Sequence, residues 1–134
     1  MGNPAFLLDT SICVFFLRGN ESVVSRVAHI GLKNCCLSEI TVAELLYGAA
    51  CSSNPDENIA NVWEFCNNLD IIPISRCLEI YARQKARLRR EGQLIDDFDL
   101  LIGCAALAEG ITLVTDNTRH FSRLLTCLEN WVTR

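Results

Sequence analysis

No apolar run in this sequence reaches the ~18 residues that a membrane-spanning helix needs, so no segment reads as a membrane span. The amino-terminal stretch MGNPAFLLDT has no basic flank and meets the charge of Asp9 early, which speaks against a secretory leader. Its Met1-Gly2 start fits lipid attachment on composition. Ala5-Phe6-Leu7, however, reads as the opening of a buried strand, so a cytoplasmic protein is expected. No repeat, low-complexity tract or interdomain linker interrupts the 134 residues, and one domain over residues 1–134 is expected. With 50% hydrophobic and 21% charged residues, a disordered chain is excluded. Missing too is any C-x-x-C pair, although the chain has eight cysteines, and only two histidines are present to supplement them. The chelating spacing usual in structural zinc sites is therefore absent. Set among apolar neighbours, as in NCCLSEI and IGCAAL, the thiols read as reduced, buried hydrophobes.

An excess of positive charge is lacking as well: the formal net charge is −4. Its distribution matters more than its sum. Setting aside Asp9, Glu44, Asp97, Asp99 and Asp116 leaves 11 acids against 12 Lys and Arg, so the rest of the chain is close to neutral. Six of the basic residues fall between Arg76 and Arg90.

What is present is an alternation of short apolar runs and helical periods. Residues 5–8 are too brief for a helix and read as a fully buried strand, ending in the polar turn Asp9-Thr10-Ser11. A helix is expected over 21–32, a strand over 34–37 and a helix over 38–48, with Ser38 as its cap or Thr41 and Glu44 as a capping box. Residues 55–69 form a further helix opened by Pro55, and 70–74 a strand that Pro73 places at an edge or near its end. A helix over 76–91, capped by Ser75, leads to the loop 93–98. The nearly all-apolar helix 99–109 follows, then a strand over 111–115, the polar loop 116–121 and a last strand over 127–132. Strands alternating with helices imply an α/β fold: a central parallel sheet of about five strands with helices on both faces.

In such a sheet the carboxyl ends of the strands share one rim, where sites form. Asp9 and Asp116 end strands there, and the helices bearing Glu44 and Asp99 start there. Asp96-Asp97-Phe98-Asp99 crowds three carboxylates into four residues at a helix start, which repulsion disfavours unless a cation neutralises it. Taken alone, Asp9 reads as a helix cap and Glu44 as half of a capping box. Together with Asp97, Asp99 and Asp116 they suit a hard divalent cation with oxygen ligands, Mg²⁺ or Mn²⁺. Such ions activate water, and two of them ~4 Å apart can flank a phosphodiester. The hydroxyls of Thr10, Ser11 and Thr115 and the Asn117 amide are placed to orient water or phosphate.

Four blocks carry a family resemblance: Leu7-Leu8-Asp9-Thr10-Ser11; Ser38-x-x-Thr41-x-x-Glu44-Leu45-x-x-Gly48; Asp97-x-Asp99-Leu-Leu-Ile102; and Leu113-Val114-Thr115-x-Asn117-x-x-x-Phe121. In this order they resemble the PIN domain, and more closely the VapC-type toxins of bacterial type II toxin–antitoxin pairs. The resemblance implies a single PIN-like domain and a metal-dependent endoribonuclease, usually homodimeric, held inactive by a cognate antitoxin. It further implies that Asp9, Glu44 and Asp99 are the family's first three acids and Asp97 an accompanying one. The fourth acidic position falls on Asn117, with Asp116 one residue before it, and the family's usual Asn after the Asp-Thr pair is Ser11. Arg83, Lys85, Arg87, Arg89 and Arg90 either contact RNA phosphates beside the acids or form a solvated helix face. Two alternatives keep the fold: a PIN nuclease of housekeeping RNA processing, or a degenerate PIN fold that only binds. The intact Asp9, Glu44 and Asp99 argue against the second. A phospho-acceptor receiver module would need paired acids after the first strand and a late Lys, which this chain does not have.

Overall fold

Phe6–Leu8 forms β1, and the whole sheet grows outward from it. The computed structural model describes residues 4–124 and 127–134, so the reading of Met1 and Gly2 lies outside the described residues. The other strands are β2 (Cys35–Ser38), β3 (Asp70–Ile72), β4 (Thr112–Val114) and β5 (Leu128–Glu129). Their order is β3-β2-β1-β4-β5, and every neighbouring pair is parallel. The helices are α1 (Thr10–Leu17), α2 (Glu21–Ile30), α3 (Glu39–Ala50), α4 (Pro55–Cys66), α5 (Leu78–Arg90), α6 (Asp97–Glu109) and α7 (Thr118–Phe121).

Side chains on a strand alternate between faces, and the core divides accordingly. Leu8, Leu37 and Val114 pack with Ile12, Val23, Val27, Val62 and Phe65 from α1, α2 and α4. Leu7, Cys36 and Leu113 pack on the opposite face with Leu88, Leu100, Ile102 and Ala106 from α5 and α6. The expected α/β sandwich of a parallel sheet between helices is what forms. β2 is added on one side of β1 and β4 on the other, so the direction in which strands are added reverses between β1 and β4. At such a switch the loops part and leave a crevice at the strands' carboxyl ends.

Several boundaries differ from expectation. α6 begins at Asp97 rather than Asp99, because Asp96 caps it by accepting from the Phe98 N–H at 3.1 Å. Residues 74–77 form a 3-10 turn, so α5 starts at Leu78 and Ser75 caps nothing. β3 is an edge strand, as Pro73 implies, but it ends at Ile72, so Pro73 lies just past it. The loop after β4 contains the short α7, and β5 is only two residues long. Six cysteines are buried, but Cys51 and Cys127 are exposed, contrary to the expectation for all eight. Burial pushes the Cys36 and Cys104 thiols up to about 12, so they remain protonated hydrophobes.

Candidate active site

The crevice at the switch point is a polar cavity of about 400 Å³ lined by Asp9, Thr10, Ser11, Glu44, Asp99, Asp116 and Asn117. Its anchor is Asp9, the residue after β1 and the cap of α1, only 6% exposed. The Thr115 hydroxyl donates to Asp9 Oδ2 at 2.7 Å and the Ser11 hydroxyl to the same oxygen at 3.2 Å. The Thr10 N–H donates to Oδ1 at 2.8 Å. Thr115 is in turn held by the Asn117 N–H, which donates to its Oγ1 at 3.0 Å. Burial raises the Asp9 carboxyl above its usual range, and these three donors act against that rise.

Glu44 reaches the cavity from the first half of α3. The capping box proposed for it does not form, because Ser38 caps α3 through the Ile40 N–H at 3.1 Å. Glu44 instead accepts from the Thr10 hydroxyl at 2.6 Å, and Thr10 Oγ1 lies 3.0 Å from that of buried Thr41. A free-standing carboxylate beside Val42 and Leu45 is thereby satisfied.

Asp99 enters from the first turn of α6. Burial first and the neighbouring Asp9 second push its carboxyl up to about 6; Asp96 and Glu44 add to the rise and His120 opposes it. His120 Nδ1 lies 3.5 Å from Asp99 Oδ2 and 3.0 Å from the Asn117 amide nitrogen. His120 is an unassigned position within the Thr115-x-Asn117-x-x-x-Phe121 block; its place on α7, three residues after Asn117, is what brings it to Asp99.

Asp97 does not join the cluster, contrary to expectation. Two residues along a helix turn the side chain by about 200°, so Asp97 and Asp99 leave α6 on opposite sides. The Asp97 carboxylate accepts from Lys85 Nζ at 2.8 Å and from the Tyr81 hydroxyl at 2.9 Å, on the exposed α5 side. These partners hold it below the usual carboxylate range. Asp116 does border the cavity, but both its oxygens accept from Arg134. None of Arg83, Lys85, Arg87, Arg89 and Arg90 lines the cavity. Arg83 pairs with Glu79 and Arg87 with Glu91, while Arg89 and Arg90 are exposed.

The donor set is all oxygen, which suits Mg²⁺ or Mn²⁺ over a soft metal. Among the described residues no three His, Cys, Asp or Glu side chains are already gathered as a ligand set. A cation that dehydrates reluctantly needs only one or two carboxylates plus water. The buried Asp9 beside Asp99, whose carboxyl is raised, is the pair that fits it.

A second groove, of about 410 Å³, adjoins the first and shares Thr10 and Glu44 with it. Val14, Leu17, Leu45 and Val62 give it apolar walls, with Arg18 among the polar residues.

Comparison with known proteins agrees with this architecture. The model of the PIN domain family matches residues 6–124. The chain is 32% identical over 120 residues to the tRNA(fMet)-specific endonuclease VapC of Shigella flexneri, covering 89% of this chain and 91% of that one. To ribonuclease VapC2 of Rickettsia felis it is 35% identical over 130 residues, covering 94% and 97%. The DNA-bound VapBC structure from Salmonella typhimurium superposes with a TM-score of 0.89 at 30% identity, covering 96% of this chain and 98% of that one.

Proposed function

The chain belongs to the PIN domain family and, within it, to the VapC ribonucleases; on that footing we propose that it is the toxin of a toxin–antitoxin pair, an endoribonuclease that uses Mg²⁺ or Mn²⁺. The observation that carries the metal-dependent part is the buried Asp9 facing Asp99, whose carboxyl is pushed up to about 6 in a cavity with oxygen donors only. Asp9 and Asp99 would hold the cation directly. A divalent ion there would withdraw charge from a bound phosphate and make a coordinated water more acidic.

The chain's own groups divide the remaining work. Thr115 and Ser11 hold Asp9 in one orientation through Oδ2, and the Thr10 N–H holds Oδ1. Glu44, half-buried and ordered by Thr10, is placed to accept a proton from a water entering the site. The Asn117 amide, held at His120, is an oriented polar group for phosphate oxygens. Without the cation, three carboxylates would repel an RNA phosphate, so the ion is required for binding as well as for chemistry.

The cognate antitoxin is expected to lay a segment along the apolar groove between α1, α3 and α4 and into the acid cavity, since Thr10 and Glu44 line both. A homodimer is proposed from the resemblance, with exposed Tyr47 and Leu78 as available apolar surface.

The test is cleavage of a total-RNA substrate with added Mg²⁺ or Mn²⁺. Asp9→Asn and Asp99→Asn should each abolish cleavage while far-ultraviolet dichroism stays native, and EDTA should abolish it in the parent. Full activity in either variant, or cleavage indifferent to EDTA, sinks the mechanism. Arrested growth on induction, relieved by co-expression of the neighbouring gene, tests the toxin role.

A further inference from the structure

The tail after β5 is fixed at successive points. Trp131 is buried and edge-on to Phe6, with ring centroids 5.3 Å apart. Val132 is buried, and its N–H donates to Asn130 Oδ1 at 2.9 Å. The Thr133 N–H donates to the Ser22 hydroxyl at 3.0 Å. These anchors bring Arg134 against Asp116 in a two-pronged ion pair, Nη1 to Oδ1 at 2.8 Å and Nη2 to Oδ2 at 2.7 Å. Asn130 Nδ2 adds a third donor to Oδ1 at 3.1 Å.

Asp116 borders the same cavity as Asp9, Glu44 and Asp99, yet both its oxygens are occupied. Forked arginine–carboxylate bonds are the strong, geometrically specific kind. Oδ1, which already accepts two donors, has no lone pair left for a cation, and the spare lone pair of Oδ2 points where the fork sets it; ligation through both oxygens requires Asp116 to give up the fork. We infer that Arg134 is a positioning residue: it acts as a built-in counter-cation that withholds Asp116 from the metal, leaving ligation to Asp9 and Asp99, and breaking the pair releases Asp116 as an additional ligand. The inference rests on the proposed reading that the cavity holds a divalent cation. It also accounts for the lowered carboxyl of Asp116 beside two acids whose carboxyls are raised. Lysine in place of Arg134 supplies a point charge without the fork, so it should withhold Asp116 only partly.

Mn²⁺ titration followed by calorimetry and by the spin resonance of free Mn²⁺ tests this on the intact chain. Arg134→Ala should bind Mn²⁺ on the order of tenfold tighter, the scale on which neighbouring groups tune metal affinity, or take up one further ion per chain. Arg134→Lys should fall between, Asp116→Asn should match the parent, and Arg134→Ala with Asp116→Asn should lose the gain. Repeating the titration at about 0.5 M KCl screens through-space attraction, and a gain due to ligation persists there. Unchanged binding in Arg134→Ala, a gain that vanishes in high salt, or a clear loss in Asp116→Asn alone overturns the role of Arg134. The underlying reading is checked separately: Mn²⁺ binding that survives Asp9→Asn, or no binding by the parent, refutes the cation site and this inference with it. Binding that Asp9→Asn abolishes but Arg134→Ala leaves unchanged refutes only the inference.

Discussion

Asp99 sits where burial and a neighbouring carboxylate act in the same direction, which ties stability to pH. Its folded value of about 6 lies above the ordinary 3.8, so between those values the native state keeps a proton that the unfolded chain has released. Stability of the metal-free protein is therefore full below that window and declines as pH rises through it; Asp9, also raised, adds to the decline. Asp97 and Asp116, both lowered, act oppositely and lose their contribution only as pH falls further. Melting temperatures in EDTA should thus fall in the parent relative to Asp99→Asn between about pH 4 and pH 7, and added Mg²⁺ should restore more at the upper end. Parallel curves for parent and variant would refute this. At this scale the sequence is informative about residue type and poor about direction. Asp9 follows a strand, Asp99 lies in the first turn of a helix and Glu44 in the second turn of another, and alternation alone reveals that these ends share one rim. The departure of Asp97 toward Tyr81 and Lys85 needs the true start of α6, and the capture of Asp116 needs a partner 18 positions away.

α6 is the element on which the cavity depends most. Asp96 caps it, Asp99 projects from its first turn, and Leu100, Ile102, Cys104 and Ala106 are fully buried beneath the sheet. Gly103 lies where α7 and the following turn cross it: a Cβ built there would collide with Leu124 Cδ2 and come within 3.4 Å of Phe121 Cδ1. Gly103→Leu should destabilise the fold by about 1–3 kcal/mol, measured by urea unfolding, and displace the segment carrying Asn117 and His120. A variant as stable as the parent would show that Leu124 yields freely. The sequence discloses α6 readily, because a helix apolar all round has to be buried. It does not disclose the 3-10 turn before α5 or the shortness of β5, since local propensity there is overridden by packing against the rest of the molecule.

Across the whole molecule the charge is segregated, with acids gathered at the rim and arginines along α5. Of that helix, Arg83, Arg89 and Arg90 are exposed and do not line the cavity. Exposed pairs such as Arg83–Glu79 are weak and leave these side chains available to phosphate. With a Glu44→Gln background, which leaves Asp9 and Asp99 to hold the cation, RNA binding should weaken as salt rises. Replacing Arg83, Arg89 and Arg90 by Ala should reduce the slope of log K against log salt by about 1 for each phosphate that the variant no longer neutralises. An unchanged slope would assign RNA binding to another face.

The placement of β1 at the centre of the sheet has a consequence for synthesis. Asp9 is synthesised well before its partner Thr115, which lies 106 residues further along the chain. The strand that completes the crevice, β4, pairs with β1 across nearly the whole length, and β5 and Arg134 come later still. Contacts of such long sequence separation close slowly and late. A nascent chain therefore carries no assembled acid cavity until synthesis has passed β4, and the activity proposed for that cavity is withheld for the whole of that interval.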